Sequence, residues 1–335
     1  MSGFVRNPAK NGRRPDIPDS TIVSRRGVGV GPAIAHNASV SLPRQILPNQ
    51  FYMITRRCTQ RMMLLRPDAE FNALFEYCLA VAAARYEILV ILSCVMSNHH
   101  HTVVFDPHGN ISEFCEYLHR LVAKATNALR GRRENLWSSE ALSLVRLVDP
   151  EDVLAKLVYA ATNPVKDGLV AKVEDWPGVN TLGALLDGHA IETTRPKYFF
   201  AADGTMPEQA TLEMSVPAAL GPADAFRARL RAMCADAEAA FDAERRRAGK
   251  AVLGREAILG QSWQALPESP PEARAISPTI AARSLVTRIK AIAQYRVFLD
   301  AYRAARERWR KGELVLFPAG TYWLSRFAFV PVADA

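Results

Sequence analysis

Two short stretches of this chain carry side chains whose types and spacing suit metal binding and nucleophilic attack. The first is Asn98-His99-His100-His101, which opens an apolar run. On an extended strand successive side chains alternate, so His99 and His101 face one side and His100 the other. Two imidazoles at i and i+2 start roughly 7 Å apart and can converge on one ion. Exposed histidines at a polar strand end have the same pattern, and the tripeptide alone does not choose between them. The second stretch is Tyr159-Ala160-Ala161-Thr162-Asn163-Pro164. On a helix Tyr159 and Asn163 stand at i and i+4 and share a face, which Lys156 and Ala160 also reach. A phenol and a carboxamide are then presented together toward an ion on a neighbouring strand. A core tyrosine followed by a helix-ending asparagine fits that stretch equally well.

The elements that must hold these groups follow from local pattern. Residues 51–58, FYMITRRC, pack aromatic and β-branched residues into a short run and read as a strand. Residues 68–85 read as a helix, capped by Asp68, with Phe71, Leu74, Phe75, Cys78, Leu79 and Ala82 at 3–4 spacing. The runs YEILVILSCVM and HHHTVVF, separated by Ser97-Asn98, read as an antiparallel pair. A second helix is expected over Ile111–Arg130, with Phe114, Leu118, Leu121, Val122 and Ala125 on one face. A third is expected over 150–163, opened by acids suited to the positive end of its dipole and stopped at Asn163-Pro164. This order suggests an α+β fold, an antiparallel sheet with helices packed on one face.

The flanks differ in texture. Residues 1–45 mix Gly, Pro, Ser and Arg without periodicity and are expected to be a basic, disordered tail. After about residue 196 an accessory region is expected. It has an Ala/Arg/Glu-rich helix over 221–250, a proline-rich loop over 260–280, a basic helix over 281–311 and an aromatic, strand-like close, FPAGTYWLSRFAFVPV.

The formal charge of +8 favours an anionic partner. It is concentrated at the ends: residues 1–50 carry seven Lys/Arg against two Asp/Glu, whereas residues 51–200 carry 16 against 17. Nucleic acid gripped by the middle must therefore be held by local clusters. Arg56, Arg57, Arg130, Arg132, Arg133, Lys156 and Lys166 are the candidates, with Trp137 as a platform for an unpaired base. His36, His108, His119 and His189 are scattered and are read as surface residues. Five cysteines without CxxC spacing suggest reduced, mostly buried thiols of a cytoplasmic protein. No run of 18 apolar residues and no apolar segment behind the basic start is present, so neither a membrane span nor a secretion signal is expected.

Taken together and in order, the two chemical stretches resemble the HUH single-tyrosine transposases, most closely the REP-associated tyrosine transposases. The strand of that family reads like M-P-N-H-x-H, matched by Met96-Ser97-Asn98-His99-His100-His101. The helix reads like Y-I-x-x-N-P-V-K/R-x-G-L-V, matched by Tyr159-Ala160-Ala161-Thr162-Asn163-Pro164-Val165-Lys166-Asp167-Gly168-Leu169-Val170, and a D-W-P follows as Asp175-Trp176-Pro177. The resemblance spans roughly residues 45–190. Ser97 stands where the family has Pro or Glu, and His100 where it has a bulky apolar residue. A core-facing His100 must be neutral and hydrogen-bonded.

The resemblance implies a ferredoxin-like catalytic domain over 46–195. It implies His99, His101 and the Asn163 amide as ligands of Mg²⁺ or Mn²⁺, and Tyr159 as the nucleophile. Attack would leave a 5′-phosphotyrosine and a free 3′-OH on single-stranded, hairpin-forming DNA. An unperturbed phenol titrates near ~10, a handicap of roughly 4 kcal/mol at neutral pH that Lewis-acid polarisation of the phosphate offsets. Monomers and homodimers both occur among such enzymes, and a cytoplasmic, nucleoid-associated location is the corresponding expectation. The alternatives are a non-catalytic, domesticated hairpin-binding protein and an unrelated hydrolase using His99 and His101.

Overall fold

The computed structural model describes residues 43–197, 200–201, 203–267 and 278–334. The expected basic tail lies almost wholly outside them, as do His36 and part of the proline-rich loop. Residues Leu42–Ala335 cluster as one unit. Its strands are β1 Gln50–Arg57, β2 Leu89–Met96, β3 His99–Asp106, β4 Ser143–Leu147, β5 Ile191–Thr194, β6 Gln209–Leu212 and β7 Ile280–Ala281. Its helices are α1 Ala69–Tyr86, α2 Ile111–Leu129, α3 Pro150–Ala161, α4 Asn163–Lys166 and α5 Leu182–Asp187, then α6 Ala223–Arg247, α7 Arg255–Gly260, α8 Leu285–Arg310 and α9 Trp323–Ala328.

Five strands form one sheet in the order β2-β3-β1-β4-β7. The first three pairings are antiparallel and β4 pairs with β7 in parallel, so the sheet is mixed rather than purely antiparallel. β3, which carries the histidines, lies between β1 and β2. Thr55 pairs with His101, Arg56 with His100 and Arg57 with His99.

The helices cover both faces of the sheet, a correction to the one-faced expectation. His100 packs against Phe75 of α1 and His119 of α2, while His101, on the opposite side of the same strand, packs against Tyr159 of α3. The reason is visible in β2: LVILSCVM is nearly continuously apolar and buried from Val90 to Met96. A strand without polar alternation needs a layer on each side.

Local chemistry builds the first layer. Asp68 caps α1, its Oδ1 accepting from the Phe71 amide at 3.0 Å. Buried Asp106 accepts at Oδ1 from the amides of His108, Gly109 and Asn110 and at Oδ2 from Ile111, which turns β3 into α2. Gly109 in that turn has φ +82°, a backbone region that favours glycine. All the apolar positions singled out on α1 and α2 are buried. The β5–β6 hairpin, too short and polar to stand out in the sequence, packs on α1.

The second layer is α3, backed by α6. The long α6 buries Phe226, Leu230 and Cys234, one apolar residue per turn, and packs on α3, α4 and α5. The region after residue 196 thus supports the helix that carries Tyr159. The aromatic close is not strand-like throughout: α9 occupies its middle, and Phe317 pairs with Val332 in an isolated bridge. All five cysteines are free and buried. Among the described residues no helix is long and apolar enough to cross a membrane.

His119 is buried, not a surface residue. Its Nε2 lies 3.0 Å from His100 Nε2, and Trp137 Nε1 donates to its carbonyl at 2.8 Å. Burial, then Arg56 nearby, pushes its pKa down to about 3. A neutral pair shares one proton across the contact, one ring donating and the other accepting; protonating the accepting ring at Nε2 would oppose two N–H groups. A histidine held neutral in the fold binds protons only when unfolded. Its stability contribution is therefore present above about pH 6.5 and is lost as pH falls toward 3. Urea midpoints are expected to show a loss of about 2 kcal/mol from His119 alone between pH 8 and pH 5. In His119→Gln that component should vanish from the difference between the two pH values.

Candidate active site

Strand alternation puts His99 and His101 on the α3 side of the sheet. Their ring centroids are 4.8 Å apart and nearly perpendicular, at 79°. Tyr159 projects from α3 onto His101, its ring 5.3 Å from that imidazole at 67°. Tyr159 is 38% exposed, whereas His101 is 5% exposed. The phenol stands at the opening of a site whose inner wall is the imidazole. Lys156 Nζ and Lys166 Nζ lie 5.4 and 5.2 Å from the Tyr159 ring centroid, so two ammonium groups flank the hydroxyl-bearing ring.

His101 is held at one nitrogen and open at the other. Its Nδ1 is 2.8 Å from Thr55 Oγ1, and its Nε2 is buried without a hydrogen-bond partner. Burial, followed by His99, His100, Arg57 and Lys156, keeps its pKa well below the ordinary histidine value, so the ring is neutral at pH 7. A neutral imidazole with an unused buried nitrogen is the form a metal ligand requires. His99 Nδ1 lies 2.7 Å from Asn98 Oδ1. These residues fit a divalent ion. Among the described residues no three His, Cys, Asp or Glu side chains gather to hold a metal, so any ion here would rest on two imidazoles and neutral or phosphate oxygens.

Asn163 is placed less directly than its i+4 spacing suggests. α3 ends at Ala161; Thr162, at φ −88° and ψ 4°, leaves α geometry, and Asn163 opens α4 with Pro164 behind it. Asn163 is 4% exposed while Tyr159 is open to solvent.

The polar side of the hairpin is braced from two directions. Trp176 of the Asp-Trp-Pro motif is buried and donates from Nε1 to the Val95 carbonyl at 3.1 Å. Asn180 then donates from Nδ2 to the Ala161 carbonyl at 2.9 Å, closing the end of α3, and forms a bridge with Cys94 of β2. The helix carrying Tyr159 and the strand beside His101 are thereby tied through one side chain. No local pattern marked Asn180 or Thr55; only the register of β1 on β3 brings Thr55 to His101.

The basic candidates separate by location. Lys156 and Lys166 belong to the site, and exposed Arg57 stands on the His99 face, opposite His99 in the sheet. Arg133 is exposed, and half-buried Arg132 contacts Met62 Sδ at 3.5 Å. Arg56 turns to the other face, donating to the carbonyls of Glu140 and Ser138 at 3.1 and 3.2 Å. Arg130, its side chain 5% exposed, pairs with Asp68 at 2.7 Å and donates to the Arg66 carbonyl at 3.2 Å. It joins the end of α2 to the start of α1. Arg130→Ala is expected to lower stability by about 1–2 kcal/mol, read from urea midpoints, because it removes the more buried of two arginines on Asp68 while Arg66 Nε stays at 3.1 Å from the same carboxylate. Single-strand affinity of the folded variant should be unchanged.

Trp137 is likewise an interior contact, its ring 5.2 Å from His119 and 5.9 Å from His100. It is half-buried, and these ring contacts occupy part of the surface its position offered to a base. His100 is fully buried, with Nδ1 3.0 Å from Thr102 Oγ1, and meets the requirement for a core histidine. His108 and His189 are exposed.

No protein-family model matches the chain, and no curated protein matches it. A solved structure described as that of a REP-associated tyrosine transposase bound to a REP hairpin is similar to it at 17% identity and a TM-score of 0.37. The match covers 52% of this chain and 93% of that one.

Proposed function

We propose that the chain is a tyrosine transposase of the HUH type, which cleaves and rejoins single-stranded DNA through Tyr159. The observation that carries this reading is a half-open phenol set against His101, whose buried Nε2 is unpartnered and whose ring lies beside that of His99. The connection β1-α1-β2-β3-α2-β4 with strand order β2-β3-β1-β4 supports a ferredoxin-like reading of the catalytic part.

His99, His101 and the Asn163 amide would hold Mg²⁺ or Mn²⁺, imidazole favouring the latter. When bound, such an ion supplies Lewis-acid polarisation of the scissile phosphate. Tyr159 Oη attacks phosphorus and gives up its proton to solvent. The bond to the 3′ oxygen breaks, and that oxygen takes a proton from solvent to become a free 3′-OH. The 5′-phosphotyrosine conserves the bond energy, so attack by a 3′-OH rejoins DNA without an external energy source. Lys156, Lys166 and Arg57 neutralise the phosphate, and their field draws the strand to the open side of the site.

The test is a labelled single-stranded hairpin oligonucleotide incubated with protein and Mn²⁺. A denaturation-resistant protein–DNA species that forms with Mn²⁺ and fails to form in EDTA supports the reading. Salt-sensitive hairpin binding with no covalent species under any divalent ion would favour the non-catalytic binder.

A further inference from the structure

We infer that Asn98 and Thr55 are positioning residues that hold His99 and His101 in the same tautomer, proton on Nδ1 and lone pair on Nε2. The inference rests on the reading of these histidines as a metal pair and deepens it.

The Asn98 amide is oriented by its surroundings. Its Nδ2 donates to the Arg61 carbonyl at 3.3 Å, which leaves Oδ1 for His99 Nδ1 at 2.7 Å. A carboxamide oxygen only accepts, so the hydrogen must sit on His99 Nδ1 and the lone pair on Nε2. The turn that carries Asn98 is itself fixed by the segment after β1. The Cys58 amide donates to the Asn98 carbonyl at 2.8 Å and the Leu65 amide to the Ser97 carbonyl at 2.9 Å. In that segment Gln60 and Arg61 sit at φ +50° and +59°, a left-handed geometry that side chains disfavour. It brings the Arg61 carbonyl to Asn98.

Thr55 does the same for His101 from β1. Its hydroxyl lies 2.8 Å from Nδ1 and can accept the ring proton, while Nε2 is enclosed with no hydrogen-bond partner. Were the proton on Nε2, a buried N–H would be left without an acceptor; with it on Nδ1, the enclosed atom is a lone pair. Two different elements, the β2–β3 turn and strand β1, thus impose one tautomer on both rings. A hydrogen bond to the far ring nitrogen selects the tautomer and orientation of a ligating histidine, and losing such a partner typically costs 10–100-fold in metal affinity.

The experiment is long-range ¹H–¹⁵N correlation on ¹⁵N-histidine-labelled, metal-free protein at pH 7.5, paired with Mn²⁺ titration calorimetry. His99 and His101 are expected to show a protonated Nδ1 and a bare Nε2. Thr55→Val should shift or mix the His101 tautomer and weaken Mn²⁺ binding about 10–100-fold, and Thr55→Ser should restore both. Asn98→Ala should do the same to His99, with Asn98→Asp, which keeps the acceptor, restoring it. A wild-type spectrum with the proton on Nε2 of either ring would overturn the inference, and needs no variant to fold. So would unchanged tautomers in folded Thr55→Val and Asn98→Ala. The expected tautomers in a wild-type protein that binds no Mn²⁺ would support the hydrogen-bond assignment and overturn the metal reading instead.

Discussion

Replacing Tyr159 by phenylalanine is expected to abolish the covalent protein–DNA species and to lower single-turnover cleavage by at least about 10³-fold. The substitution removes one oxygen and little else. The ring that meets His101 at 5.3 Å and lies beneath Lys156 and Lys166 is retained. Tyr159 is 38% exposed, so removing its hydroxyl from the rim of the site leaves the core intact and stability within about 0.5 kcal/mol. Hairpin affinity should change by less than about threefold, because the cationic groups that meet phosphate remain. Loss of the adduct with binding preserved separates nucleophile from scaffold. An adduct that survives in the phenylalanine variant would remove Tyr159 from the chemistry.

Replacing His101 by alanine is expected to weaken Mn²⁺ binding at least about 100-fold by calorimetry, more than the loss of a supporting hydrogen bond would. His101 carries the buried, unpartnered Nε2, and burial and neighbouring cations keep its ring neutral. Alanine leaves a void beside Thr55 and Cys94, and folding should weaken by about 1–2 kcal/mol as well. Metal affinity must therefore be read on protein shown to be folded. Arg133→Ala, on exposed surface away from the imidazoles, should leave Mn²⁺ affinity unchanged. An alanine variant that binds Mn²⁺ as the wild type does would displace the ion from this pair.

Much of the part built on β1 to α3 was legible because its determinants are local. Asp68 before an apolar 3–4 pattern marked α1, and alternation alone assigned His100 to one face and His99 with His101 to the other. That Tyr159 reaches the same face required two separate motifs to meet, and neither stretch by itself distinguished chemistry from a polar strand end or a helix stop. What escaped was set by long-range register. Thr55 reaches His101 only through the pairing of β1 with β3, and Asn180 closes α3 only because residues 176–181 run along β2. Arg56 and Arg130 resembled any other surface cation in the sequence. Backbone carbonyls of 138–140 and the carboxylate of Asp68 claim them in the fold. The second helical layer had a signal in the unbroken apolar run of β2, which alternation-based reading passes over. Thr162 leaves α geometry between Tyr159 and Asn163, a break the i+4 spacing did not announce.

The central claim is that one ion and one phenol meet on the α3 side of the sheet. Crystals soaked in Mn²⁺, with an anomalous difference map phased from the protein, test it most directly. The account predicts a peak against the Nε2 atoms of His99 and His101, on the side from which Tyr159 projects. A map with no peak there, under Mn²⁺ concentrations that support adduct formation in solution, would contradict it.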